Sequence, residues 1–153
     1  MSVRKIQRVD GPIEATVSLP GSKSETIRAL ACAAMAEGRS HLYGALHAED
    51  TSAMVGGLMA LGVAVQTDHE PWVVDGTGGH LVASNEPVVV GESGLSARIL
   101  TVMATLAEGV TTIDGIGRLR QRPMAGLIKA LTDQGVAISA TNHGLPVTVT
   151  GQG

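Results

Sequence analysis

The sequence predicts an α/β fold, specifically an α+β arrangement in two layers, built from two repeated βαβαββ-type units. Three observations carry this. The chain repeats itself: residues 21 to 66 and 91 to 139 each open with a Gly/Ser turn and place an Arg seven positions after the first Gly (Arg28 and Arg98). Each then reaches Ala-Glu-Gly after an apolar run, passes a second Gly (Gly44, Gly115) and finishes in Gly-Val. A duplicated unit of this length fixes architecture ahead of any local propensity. Helical spacing of apolar residues alternates with short stretches of strand-forming residues. Finally, the 153 residues are one domain's worth, 44% hydrophobic and 16% charged, enough for a packed core.

The elements follow in order. Residues 1–20 form an N-terminal segment with a lead-in strand at Thr16 to Leu19, followed by a first unit over 21–90 and a second over 91–153. Ile27, Leu30, Ala31, Ala34 and Met35 recur at helical spacing, which predicts a helix over 24–37 that Gly38 stops in a left-handed conformation. Ile99, Leu100, Met103 and Leu106 repeat that pattern before Gly109. Extended stretches come next, at Ser40 to Tyr43 and Val110 to Ile113. Second helices are marked by Met54, Leu58 and Leu61, and by Met124, Leu127, Ile128 and Leu131, with Gly62 and Gly135 ending them. Strands follow at Val63 to Gln66, Trp72 to Asp75, Val136 to Ser139 and Val147 to Thr150, and Val88 to Val90 leads into the second unit. Sheet and helices then form two layers.

Composition excludes several function classes. Phe is absent, and Trp72 and Tyr43 are the only aromatics, so no platform exists for stacking nucleic-acid bases. A net charge of −3 and a pI near 5.9 argue against a general polyanion binder. No apolar run approaches the ~20 residues of a membrane helix. The N-terminal residues carry charge with no apolar stretch behind them, unlike a signal peptide, so a cytoplasmic location is the expectation. Cys32 is the one cysteine and lies in an Ala-rich run, which predicts a buried structural thiol. The five histidines are dispersed without metal-ligand spacing, so no metal is expected. Met54, Met59, Met103 and Met124 are expected in the core, and Glu49-Asp50 at a helix start.

Positive charge is concentrated. Between Arg39 and Arg98 there is no Lys or Arg; Lys23 and Arg28 sit at the first helix start, Arg98 at its counterpart, and Arg118, Arg120 and Arg122 crowd the approach to Pro123. A helix N-terminus exposes unpaired N–H groups and about half a positive charge, which suits phosphate or carboxylate. One of Ser22 and Ser24 caps the helix while the other hydroxyl faces a ligand. Taken alone, Gly-Ser-x-Ser is a common capping sequence and the arginines a solvated face. Alternation at 118, 120 and 122 puts three guanidinium groups on one side of a strand or extended loop. Recurrence at both helix starts favours a local anion site, because independent surface charges have no reason to repeat.

These residues also carry a family resemblance. Leu19-Pro20-Gly21-Ser22-Lys23-Ser24 followed by Arg28-Ala29-Leu30 resembles the first signature of the EPSP synthases, and Leu119-Arg120-Gln121-Arg122-Pro123-Met124 resembles their second. Gly91 to Arg98 is similar to the glycine-rich loop between them. The UDP-N-acetylglucosamine enolpyruvyl transferases fit less well, having Lys-Asn where this chain has Lys23-Ser24. The resemblance implies the enolpyruvate transferase-like fold and, in the shikimate pathway, cofactor-free transfer of enolpyruvyl from phosphoenolpyruvate to the 5-hydroxyl of shikimate 3-phosphate. It implies a catalytic contact between Lys23 and phosphoenolpyruvate, and contacts from Ser24 and Arg28 to shikimate 3-phosphate. Gly94 would lie against phosphoenolpyruvate, where a side chain is expected to interfere with glyphosate, and Arg122 would bind its anionic groups.

Two positions depart from the family pattern, Glu92 where Asn is common and Leu95 where Thr is common. A carboxylate beside an anion site is adverse unless a cation compensates it. The family's fold has two domains of three such units with the active site between them, so the third unit, the second domain and the proton-transferring Asp and Glu are expected as a missing partner, in cis or as a separate chain. Alone, the chain is expected to bind phosphorylated anions weakly, to show no turnover and to be open to self-association. The alternatives are a non-catalytic anion-binding module and one half of a split enzyme. Neither nucleic acid nor membrane is an expected partner.

Overall fold

A computed structural model describes residues 3–153. The chain enters regular structure at α1 (Lys23–Met35), followed by β1 (Glu37–Leu42), α2 (Glu49–Ala60), β2 (Ala64–Gln66) and β3 (Trp72–Thr77). Two short strands, β4 (Leu81–Val82) and β5 (Val88–Val89), lead to α3 (Gly94–Met103), a 3-10 turn (Ala104–Leu106) and β6 (Ala107–Asp114). A second 3-10 turn (Gly117–Gln121), α4 (Ala125–Asp133), β7 (Ala137–Thr141) and β8 (Gly144–Gly151) complete it.

The strands form two sheets of matching order. In the first, β3 lies between β1 and β2, antiparallel to both. In the second, β8 lies between β6 and β7, again antiparallel to both, while β4 and β5 run parallel to β6 at its two ends. Helices α1, α2 and α3 touch one another and cover the strands: α1 rests on β3, α2 on β2 and β5, and α3 on β6. Ile27, Leu30, Met54, Leu58 and Leu100 bury their side chains from the helices against Trp72, Val74, Ile113, Val147 and Val149 from the strands. With so few aromatics, close packing comes from small residues. A Cβ at Gly57 would strike the Leu100 side chain, so α2 and α3 approach at the distance only glycine permits. The one tryptophan is fully buried, and its indole N–H donates to Nε2 of His47 at 3.1 Å.

Glycine sets the helix–strand contact too. Gly38 faces Gly76 across β1 and β3, and Gly109 faces Gly151 across β6 and β8. A Cβ at Gly76 would land on the carbonyl oxygens of Ala33 and Ala36, and one at Gly151 on those of Ala104 and Ala107. The first pair seats β3 against the carbonyl end of α1, and the second seats β8 against the 3-10 turn that follows α3. A second correspondence lies at the opposite end: a Cβ at Gly21 would meet the Gly44 carbonyl, and one at Gly115 the Gly91 carbonyl.

Several expectations need correction. Thr16 to Leu19 forms no strand; residues 3–20 are exposed, and nothing pairs with them among the described residues. The lead-in to the second unit has a partner, because Val88 pairs with Ile113, and a strand without one is not stable. Helix α1 ends at Met35, so Gly38, at φ +79°, is a kinked residue of β1 rather than the helix stop. Cys32 is exposed because the buried stripe of α1 runs through Ile27, Leu30, Ala33 and Ala34 and leaves position 32 on the outer side. Met59 is 55% exposed for the same reason, next to buried Met54, Leu58 and Leu61. Gly62 and Gly135 do end α2 and α4, at φ +87° and +88°. The short strand β4 had no signal beyond two apolar residues. Among the described residues, no helix is long and apolar enough to cross a membrane.

The glycine seats carry a prediction. Gly76→Ala and Gly151→Ala push a methyl into backbone that cannot yield, and each should destabilise the fold by about 2–3 kcal/mol. Gly135→Ala has open space around it and should cost only about 1 kcal/mol, from its positive φ. Urea denaturation of the three variants measures the contrast.

Candidate anion-binding site

The N-terminal ends of α1, α2 and α3 meet. Lys23, the first residue of α1, places Nζ 3.3 Å from Oδ1 of Asp50 in the first turn of α2. The backbone carbonyl of Asp50 accepts from the Ser96 hydroxyl in the first turn of α3, at 3.1 Å. Helix N-termini brought together bring the positive ends of their dipoles together, which favours an anion. Asp50 is therefore not a helix cap. Thr51 does that work, its hydroxyl accepting from the Ala48 N–H and donating to the Leu46 carbonyl, which frees the Asp50 carboxylate for Lys23.

At α1 the two serines divide. Ser22 is the N-cap, its hydroxyl accepting from the Glu25 N–H at 3.4 Å, while Ser24 is half-buried in the first turn. Arg28 is exposed and folds back to donate to the Ser24 carbonyl at 3.3 Å. At α3 the helix begins at Gly94, which is buried. A Cβ built there would lie 2.9 Å from Nη1 of Arg122 and 3.3 Å from Nη1 of Arg98, so both guanidinium groups lean over the bare glycine.

Arg118, Arg120 and Arg122 do not share a side. The segment is a 3-10 turn, and with three residues per turn alternate positions fall on different faces. Arg120 turns back to Asp114, its Nε 3.0 Å from Oδ1, and Arg118 is exposed. Only Arg122 reaches Gly94. The departure at Glu92 is accommodated locally: its carboxylate accepts from the Arg118 N–H at 3.2 Å, closing the start of the 3-10 turn. Glu49, Asp50 and Glu92 line one cavity of about 220 Å³ with Gly91, Ser93 and Ile116, so the site has an acidic flank beside its cations. Sequence reasoning placed Asp50 at a helix start and Glu92 beside the anion site but did not find their partners, Lys23 and the Arg118 N–H; for Asp50 no local signal was available. Among the described residues, no three His, Cys, Asp or Glu side chains gather as a metal would need.

Asp114 anchors this segment through Arg120. The Arg120 guanidinium holds its carboxyl below the usual 3.8, burial opposes this, and the Gly115 N–H adds to the lowering. A carboxyl lowered in the folded state contributes stability that is present above about pH 4 and lost as pH falls through the lowered value. Asp114→Asn should therefore flatten the fall of Tm as pH drops below about 4, as read by thermal melts across the acid range.

Comparison with known proteins shows the family and the fold. Residues 7–153 match the family described as EPSP synthase (3-phosphoshikimate 1-carboxyvinyltransferase). A protein of that enzyme name from Methanospirillum hungatei is 42% identical over 137 residues, covering 89% of this chain and 32% of the relative. One from Rhizobium etli is 39% identical over 143 residues, covering 93% of this chain and 34% of the relative. The solved EPSP synthase of Acinetobacter baumannii superposes with a TM-score of 0.83 at 31% identity, over 88% of this chain and 31% of that one. The chain thus spans about a third of the length of the relatives it matches. With its two signatures in order, its helix starts brought together and this fold shared, the chain belongs to the EPSP synthase family.

Proposed function

We propose that the chain supplies the anion-holding part of a 3-phosphoshikimate 1-carboxyvinyltransferase, which moves the enolpyruvyl group of phosphoenolpyruvate to the 5-hydroxyl of shikimate 3-phosphate. The observation that carries this is Gly94 lying bare beneath the guanidinium groups of Arg122 and Arg98 at the start of α3. A planar fork of N–H donors matches phosphate and carboxylate bidentately, and a glycine lets that anion come close to the helix N-terminus. In this reading Arg122 and Gly94 hold phosphoenolpyruvate, Lys23 contacts it from the start of α1, and Ser24 and Arg28 hold shikimate 3-phosphate. Residues 21–90 and 91–153 are taken as the two structural units that present these groups.

The reaction needs a proton delivered to the methylene carbon of phosphoenolpyruvate and one removed from the attacking hydroxyl. Near the cradle, Asp50 is engaged with Lys23 and Glu92 with the Arg118 N–H. Because the chain spans about a third of its relatives' length, the acid and base are assigned to a remainder of the enzyme outside these 153 residues, in cis or on a second chain. Glu92, two residues from Gly94, sets the affinity of the cradle below that of a neutral side chain there.

Three outcomes are expected. Given both substrates, the 153-residue chain releases no phosphate in a continuous phosphate assay; sustained release would overturn the assignment of the proton-transfer groups. Phosphoenolpyruvate titrated into the chain and followed by NMR binds weakly, and Arg122→Ala weakens it by tenfold or more, about 1.5–3 kcal/mol for a lost charge-assisted contact. Gly94→Ala displaces only side-chain ends, so it should leave the urea midpoint nearly unchanged while weakening the same titration.

A further inference from the structure

Arg122 is an exposed side chain at the end of a short turn, a setting in which a long guanidinium ordinarily samples many orientations. Its backbone is nonetheless fastened to the glycine-rich loop along its length. The Ile116 N–H donates to the Gly91 carbonyl at 2.9 Å, and the Arg118 N–H to the Glu92 carboxylate at 3.2 Å. At the far end, Arg98 spans the gap: Nη1 donates to the Gly94 carbonyl at 2.9 Å and Nη2 to the carbonyl of Pro123, the residue after Arg122, at 3.0 Å.

We propose that Arg98 is a positioning residue whose guanidinium fork clamps the Arg122 segment to the first turn of α3, with Glu92 fastening the segment's other end. The inference rests on the reading of Gly94 and Arg122 as an anion cradle. Arg98 acts through Arg122, because two of its N–H groups are committed to backbone carbonyls. Charge-assisted bonds to two carbonyls in one plane suit the rigid guanidinium, and a lysine reaches only one of them at a time. Arg28 shows what the fork adds. It occupies the same place in α1 and donates to the carbonyl four residues before it, with no bond across to another segment among the described residues.

The test uses the 153-residue chain with labelled arginine side chains. Without ligand, Arg98→Ala should shift the Nε–Hε resonance of Arg122 and speed hydrogen exchange at the Arg122 amide, which donates to the Leu119 carbonyl, by tenfold or more. Arg98→Lys should fall between, and Glu92→Ala should loosen the Arg118 amide instead. If Arg98→Ala fails to fold by circular dichroism, Arg98→Lys carries the same two readouts at Arg122. Unchanged exchange and resonance at Arg122 overturn the clamp. With phosphoenolpyruvate as the probe, Arg98→Ala should weaken binding about tenfold, and adding it to Arg122→Ala should cost nothing further. An additive loss makes Arg98 a ligand of the anion and overturns the positioning role. If Arg122→Ala leaves binding unaltered while the ligand-free effects appear, the anion-cradle reading fails and the clamp stands.

Discussion

The contact on which the rest of this structure depends is a strand backbone laid against the carbonyl end of a helix. At Gly76 the closing strand comes so near the end of α1, and at Gly151 so near the 3-10 turn that follows α3, that no side chain fits between them. That approach fixes where α1 and α3 end, and a rigid helix of fixed origin also has a fixed start. Helix starts are where this chain keeps its chemistry. Lys23 and Gly94 each open a helix, and Asp50 stands in the first turn of a third. Packing at one pole of the helix layer thus determines geometry at the other.

Electrostatics at that pole is a balance rather than a simple accumulation of positive charge. The helix dipoles and the arginines favour an anion, while Glu49, Asp50 and Glu92 line an acidic hollow next to them. Two of these carboxylates have defined partners. Asp50 takes the ammonium of Lys23, and both side chains remain partly open to water, where such a pair is worth at most about 1 kcal/mol. An arriving phosphate can compete for Lys23 at that modest cost. Glu92 is held by a backbone N–H that belongs to the same turn as Arg122, so its charge is tied to the geometry of the segment it disfavours.

Much of the architecture was legible in the sequence because duplication makes a pattern visible twice. The repeated Ala-Glu-Gly triplets at 36–38 and 107–109 marked equivalent places in the two units, though they prove to be strand starts whose glycines face Gly76 and Gly151 and not helix ends, while Gly62 and Gly135 end their helices as read. What was not legible depends on contacts between segments far apart in the chain. Cys32 and Met59 look like core residues in a linear run and fall on the outer sides of their helices. Alternating arginines suggest an extended strand, and only the 3-10 turn shows that Arg120 faces Asp114 while Arg122 faces Gly94. The Lys23 and Asp50 pair joins residues that no local periodicity connects.

The burial of Trp72 has a consequence for how the molecule can be observed. Its indole is the sole one in the chain, it sits in β3 of the first sheet, and it is anchored to His47. Intrinsic fluorescence therefore watches one half of the molecule, while circular dichroism averages over both. Two halves with matching strand order but separate sheets can then be told apart by optical means without introducing a label, and any loss of cooperativity between them becomes visible as two curves that fail to coincide.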